Sequence, residues 1–274
     1  MRIGLIGCGR VGVTLFDLLR KNNTIVGVYD KKKQRERIAA MLLRIRHNPS
    51  YHELVKQSEA LFLATPDDEI LRAYAKMREH ISGPTCIFHF SGILPADIIP
   101  RTPKVYRASV HPFATFPEIA VPARKRHYHI SLEGDPPAIK AARAIFGARY
   151  FTLKKIRKQD KTLYHLTGVF SSNLLVALIA SACYLAGKIG WTEKEIQQLI
   201  FPIIEQTLGN IKRRGLVNAL SGPLVRGDVL TIEKHLRALR NDKTLLNVYK
   251  ALSHLLTTDF AGSKKKRALR RILR

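Results

Sequence analysis

The first residues whose types and spacing carry chemistry form a glycine-rich turn. Gly7-Cys8-Gly9-Arg10-Val11-Gly12 matches G-x-G-x-x-G. It directly follows the apolar run Arg2–Ile6, and its last glycine falls in the opening turn of a helical pattern carried by Val11, Leu15, Leu18 and Leu19. In that setting Gly7 permits a tight turn, Gly9 lets the backbone approach a pyrophosphate, and Gly12 lets helix pack on strand. The N–H groups from Cys8, Arg10 and Val11 onward, at the positive end of the helix dipole, suit phosphates. Asp30, at the end of the second strand, is placed to bond ribose hydroxyls, which favours NAD. Lys31, Lys32, Lys33 and Arg35 follow at once, and such cations suit a 2′-phosphate. The two signals conflict, so the expected cofactor is NADP or NAD.

Two further turns lie at the carboxyl ends of strands, where doubly wound sheets bind ligands. Thr65-Pro66-Asp67 follows Ala60–Ala64, and Ser91-Gly92 follows Thr85–Phe90. Both are candidates for lining the nicotinamide half, and both are equally good turn and N-cap sequences. Later in the chain, Arg226 can clamp a substrate carboxylate. It can equally pair with Asp228 and cap the helix that starts at Val229.

A site of this kind needs a sheet to hold it. Short β-rich runs alternate with helical patterns up to about residue 153, the signature of a parallel sheet wrapped by helices. Beyond Lys158 the pattern is helical throughout: Leu163–Lys188, Thr192–Arg213, Val229–Arg240 and Thr244–Phe260. Thr192 and Glu195 form a capping-box pair. The expected fold is α/β: a doubly wound Rossmann-like parallel sheet over residues 1–153, then an all-α helical domain over 154–261. Residues 262–274 are expected to be a flexible basic tail. The uncharged stretch Leu166–Gly187 has the length of a membrane span, but Ser171, Ser172, Asn173 and Ser181 favour a buried domain helix.

Composition bounds the function. The 274 residues carry a net charge of +26, with 46% hydrophobic residues, which excludes disorder as the main state. The basic surface lacks the aromatic interleaving of a base-stacking site, so nucleic acid is expected only as non-specific binding by the tail. Three distant cysteines make neither a disulfide framework nor a zinc site. With no metal expected and no leader pattern at Met1-Arg2, a cytoplasmic protein is the expectation.

Several motifs in order give the chain a resemblance. They are GLIGCGRVG (4–12), HFSGILPADI (89–98), SVHPFATFP (109–117), EGD (133–135), YHLTGVFSSNLLVAL (164–178) and ALSGPLVRGD (219–228), followed by His235-Leu236. Together they resemble predicted oxidoreductases that join a Rossmann-like NAD(P)-binding domain to a C-terminal helical domain of unknown function. These are relatives of prephenate dehydrogenase, pyrroline-5-carboxylate reductase and the 6-phosphogluconate-dehydrogenase-like superfamily. The resemblance implies a homodimer through the helical domain and a small anionic substrate at the interdomain cleft. His111-Pro112 is similar to the His-Pro segment near the substrate of prephenate dehydrogenases, so His111 is a candidate to exchange a proton with it. β-Hydroxyacid dehydrogenases carry a catalytic Lys four residues before an Asn; this chain has Asn173, but Val169 stands in place of the Lys. His165, on the same helical face as Ser172, is the candidate substitute. The missing Lys also motivates a rival reading, a non-catalytic dinucleotide-binding sensor or regulatory protein.

Overall fold

Arg2–Ile6 (β1) is the strand on which the first part of the chain is built, buried after its first residue. The computed structural model describes residues 1–119, 126–257 and 266–273. From β1 the chain passes through Arg10–Leu19 (α1), Thr24–Tyr29 (β2), Lys33–Leu42 (α2) and Tyr51–Gln57 (α3). It continues through Ala60–Leu63 (β3), Ile70–Arg78 (α4), Thr85–His89 (β4), Val105–Pro112 (β5) and Tyr128–Gly134 (β6). Pro136–Phe146 (α5) and Phe151–Lys155 (β7) complete the sheet, whose order is β2-β1-β3-β4-β5-β6-β7. All pairings are parallel except β5 with β6.

The sheet is covered on both faces, which explains why its inner strands are continuously apolar. In β3, Ala60 and Phe62 point into a core shared with Phe16, Phe88 and Phe146. Leu61 and Leu63 point the other way, into a core with Leu54, Ile70 and Met77. From β1 the chain moves outward to β2, then crosses back to β3 on the other side of β1. The carboxyl ends of β1 and β3 therefore flank a topological switch point, the place where such sheets bind ligands.

The remaining helices are Lys161–Ser171 (α6), Asn173–Lys188 (α7), Glu193–Ala219 (α8), Pro223–Arg226 (α9), Val229–Ala238 (α10), Lys243–Leu255 (α11) and Lys266–Ile272 (α12). The chain divides into two units, Met1–Leu174 and Leu175–Arg274. The division expected after residue 153 thus falls later, because α6 packs with the sheet through its buried Lys161. Ser172, at φ −131° and ψ −73°, separates α6 from α7 where one helix was expected. The expected capping box forms at the start of α8, Thr192 Oγ1 accepting from the Glu195 N–H at 3.3 Å.

Two other expectations are corrected. The apolar stretch of α6 and α7 is not buried within the chain: Phe170 is 64% and Val176 65% exposed. Apolar residues all round a helix signal that something covers it, but do not say that the same chain does. The segment Lys158–Lys188 has the length and hydropathy of a span. Its first half, however, docks on the sheet through polar contacts of Lys161 and Tyr164, an arrangement alien to a bilayer. The basic tail, expected to be flexible, contains helix α12, and Leu269 and Leu273 are buried beside Ile232 of α10. Residues 258–265 and 274 lie outside the described residues.

Candidate functional site

The glycine turn takes the shape its spacing implies. Gly7 has φ +94°, and a Cβ there would lie 2.6 Å from the Ala64 carbonyl oxygen. At Gly12 a Cβ would lie 2.8 Å from Ala64 Cβ and 2.9 Å from Leu5 Cδ1, so its absence lets α1 sit on β1 and β3. Gly9 differs: a Cβ would meet only the Ala64 oxygen, at 3.7 Å, leaving its outer side open. Gly9 caps α1 with no side-chain cap bond among the described residues, so Arg10, Val11 and Gly12 present an open, positive helix end.

Cys8 and Asp30 are joined to each other. The Cys8 N–H, expected at the phosphates, donates to Asp30 Oδ2 at 2.8 Å. The other oxygen, Oδ1, accepts from the Lys32 N–H at 2.8 Å. Asp30 therefore ties the glycine turn to the start of α2. Burial, with Asp30 and Glu36 nearby, pushes the Cys8 thiol up to about 12, so it stays protonated.

A pocket of about 330 Å³ opens beside this turn, lined by Gly7, Asp30, Thr65 and Pro66 among others. Five cations share its wall: Lys31, Lys32, Arg35, Arg72 and Lys76. Lys31 pairs with Glu69, which also accepts from Arg72 at 2.8 Å. Lys76 donates to the Tyr29 hydroxyl at 2.8 Å and lies 4.4 Å from the Tyr51 ring centroid. Two buried hydroxyls of the wall, Thr65 Oγ1 and Tyr51 OH, have no hydrogen-bond partner among the described residues. Orphaned buried hydroxyls, an uncovered glycine and an open helix end are the features that a dinucleotide would satisfy. The residues fit such a cofactor: the α1 turn for the pyrophosphate, and the pocket for the adenosine half.

The second site lies at the end of β5. A pocket of about 360 Å³ is lined by His111, Phe113, Thr115, His165, Ser172 and Asn173 together with smaller residues. All three residues singled out for catalysis, His111, His165 and Asn173, are brought together there. The two His ring centroids are 6.1 Å apart. Both rings pack against Gly92, where a Cβ would fall 2.6 Å from His165 Cδ2 and 2.8 Å from His111 Nε2. His111 Nδ1 is 3.1 Å from the Tyr164 hydroxyl. Burial first, then the charge of Lys161 and the nearby His165, lower His111 to about 4, so it is neutral at pH 7.

Asp67 and Ser91, expected to face the cofactor, bind each other: Ser91 Oγ donates to Asp67 Oδ2 at 2.8 Å. Ser91 Oγ also accepts from the Leu94 N–H at 3.0 Å. Their side chains thus join the ends of β3 and β4. Arg226 ends α9 in the second unit, and Asp228 caps α10 by accepting from the Thr231 N–H at 3.2 Å.

Sequence reading passed over Lys161 and Tyr164. Lys161, Tyr164, His165 and Gly168 stand at i, i+3, i+4 and i+7, one face of α6, and that spacing was the available signal. What it lacked was the partner, since Tyr164 meets a strand end 53 residues away.

Comparison with known proteins places these sites in context. Residues 2–87 match a family described as NADP oxidoreductase, coenzyme F420-dependent, and residues 128–255 match a domain of unknown function (DUF2520). No curated protein matches the chain by sequence. A Bacteroides fragilis structure described as an NADP oxidoreductase superposes with TM-score 0.76 at 20% identity, over 93% of this chain and 97% of that one. A Thermotoga maritima protein gives 0.68 at 24% identity, over 93% and 96%. Pyrroline carboxylate reductase of Plasmodium falciparum, solved with NADP bound, gives 0.59 at 13% identity, over 98% of each. At these identities the likeness is one of fold.

Proposed function

We propose that this chain, which joins a Rossmann-like NADP-oxidoreductase domain to a DUF2520 domain, is an NADP-dependent dehydrogenase or reductase of a small metabolite. The observation that carries the reading is the pairing of two sites on one sheet: an open glycine turn at β1, and a histidine pocket at the end of β5. The nicotinamide, when bound, supplies the hydride-transfer chemistry.

The protein's own part is positioning and proton handling. Donation from the Tyr164 hydroxyl to His111 Nδ1 leaves the ring proton on Nε2. A neutral imidazole of that tautomer hydrogen-bonds a substrate carbonyl or hydroxyl oxygen and exchanges its proton as charge develops there. Asn173 offers an amide to the same pocket and His165 a second ring. No charged side chain is among the pocket's lining. A small substrate is therefore held by neutral donors, the His111 ring and the Asn173 amide among them.

Cofactor choice follows from the adenosine pocket. Asp30 already accepts two backbone N–H groups, while Lys32 and Arg35 reach the same wall as cations. That balance supports NADP over NAD. Free cysteines, of which Cys8 and Cys86 are buried, suit a cytoplasmic setting. We also propose a homodimer formed through the exposed apolar helices.

The test is calorimetry with NADPH and NADH on wild-type protein, followed by an absorbance screen of small oxo- and hydroxy-acids. Wild type should bind NADPH at least tenfold more tightly, and Arg35→Ala should remove most of that margin while sparing NADH. Binding of neither dinucleotide would overturn the reading. Binding with no turnover in the screen would favour the sensor alternative.

A further inference from the structure

Lys161 is a cation in an unlikely place. It opens α6 and is only 1% exposed, among the largest fully buried side chains of the chain. Burying an ammonium is unfavourable unless it is bonded and compensated. Here the Nζ donates to Ser109 Oγ at 2.6 Å, and the Ser91 carbonyl lies 3.4 Å from it. Ser109 in turn donates to that same carbonyl at 3.0 Å. Two carboxylates balance the charge from a distance, Glu133 on β6 and Asp67 before α4. Each has its own partner: Glu133 accepts from the Ala96 N–H at 2.7 Å, and Asp67 from Ser91 Oγ.

These bonds end at the Ser91–Gly92 peptide, and the His111 and His165 rings both pack against Gly92, where a Cβ would press on each. We propose that Lys161 is a positioning residue of the β5 pocket: its ammonium pins the Ser91–Gly92 peptide to β5 and so fixes the His111 imidazole against Tyr164. It acts through Gly92 and through its field, without a bond to His111 itself. Besides Lys161, the titratable groups about His111 are Tyr164 and His165 on α6 and His89 on β4. Lys161 lies in the field of both His89 and His111 and opposes a second positive charge on either. Burial first, and then a charge that substrate never meets, hold the pocket's acid–base group below its ordinary range, and the pinned peptide holds it in one orientation.

This inference deepens the reading of His111 given above and rests on it. Its test uses protein with no dinucleotide or substrate added, so its failure is distinguishable from failure of the proposed activity. Histidine-labelled full-length protein is titrated by NMR, with the His111 signals assigned from their loss in His111→Gln. In wild type the His111 midpoint should lie at about 4, with the tautomer signature of a proton on Nε2. Lys161→Met, which fills the space without the charge, should raise that midpoint by about one unit and mix the tautomers. Lys161→Arg should keep the low midpoint. A Lys161→Met protein that is folded, with His111 midpoint and tautomer unchanged, overturns the proposal. Should Lys161→Met not fold, Ser109→Ala keeps the charge and removes its bond to β5 together with the Ser109 bond to the Ser91 carbonyl. Altered tautomer signals of His111 in that variant support the proposal, and unaltered ones overturn it.

Discussion

His89 and His111 are separate strand-end histidines with the same electrostatic problem. His89 is fully buried and bonds the Pro95 carbonyl through Nε2 at 3.2 Å, while its Nδ1 has no hydrogen-bond partner among the described residues. Burial, then Lys161, hold it at about 4, as they do His111. A histidine whose folded value lies below its ordinary 6.5 takes up its proton more readily in the unfolded chain. The stability these two groups supply is complete above pH 6.5 and is lost as pH falls toward 4. For fully buried His89 the loss is on the order of 3 kcal/mol; for the partly exposed His111 it is smaller. Thermal melting between pH 7 and pH 4 should therefore fall more steeply in wild type than in His89→Gln, which retains a side chain able to bond Pro95. Parallel pH profiles of the two proteins would remove His89 as a source of acid sensitivity. Neither histidine's condition could be read in the sequence. His111 stood out as a strand-end residue of a recognisable segment, but its low value comes from burial first and then from a lysine 50 positions later.

At the scale of elements, the β1–α1 turn separates folding from function with unusual clarity, because its glycines face different surroundings. A Cβ at Gly12 would press on Ala64 and Leu5 within the packed interface of α1 with the sheet, whereas one at Gly9 would face open space. Gly12→Val should cost about 1–3 kcal/mol of stability through overpacking, read as a lower denaturant midpoint. Gly9→Val should leave that midpoint near wild type yet weaken NADPH binding at least tenfold, since the side chain occupies the approach to the pyrophosphate. Equal stability losses in both variants, or undiminished binding in Gly9→Val, would contradict this division. The turn was legible because every cue it needs is local: a strand, three spaced glycines and a helical stripe within twenty residues. The sheet was legible for the same reason, as four-residue runs such as Ala60–Leu63 are apolar on both faces. What escaped was docking between distant elements. Nothing within α6 says that Lys161 and Tyr164 meet the end of β5, and nothing within the basic tail says that Leu269 meets Ile232. Such contacts arise only when the tertiary fold brings the partners together.

For the molecule as a whole, the net charge of +26 and the exposed apolar helices pull in opposite directions. Like-charged copies repel, and salt screens that repulsion over about 10 Å. Apolar faces attract regardless of charge, and here they are large: Ile189 is 69%, Leu199 53% and Ile203 60% exposed within the second unit. That unit also carries an apolar groove of about 670 Å³ around Tyr184, Leu185, Trp191 and Ile200. Apolar surface of this extent on one chain calls for a covering partner. A second copy is the simplest one, since it brings the same surface and a symmetric interface is self-complementary. The expected solution mass is then twice 31.0 kDa, with association that strengthens or holds as salt is raised. Retention on nucleic acid by the basic tail would behave oppositely and weaken steeply with salt, because it depends on displaced counterions. Light scattering across a salt series separates the two. Ile203→Glu, which sets a charge on the exposed apolar face of α8, should yield a folded monomer with an unchanged β5 pocket, since that pocket lies wholly within the first unit. A wild-type protein that stays at 31.0 kDa at every salt and protein concentration would rule out the dimer and leave the apolar helices to a different partner.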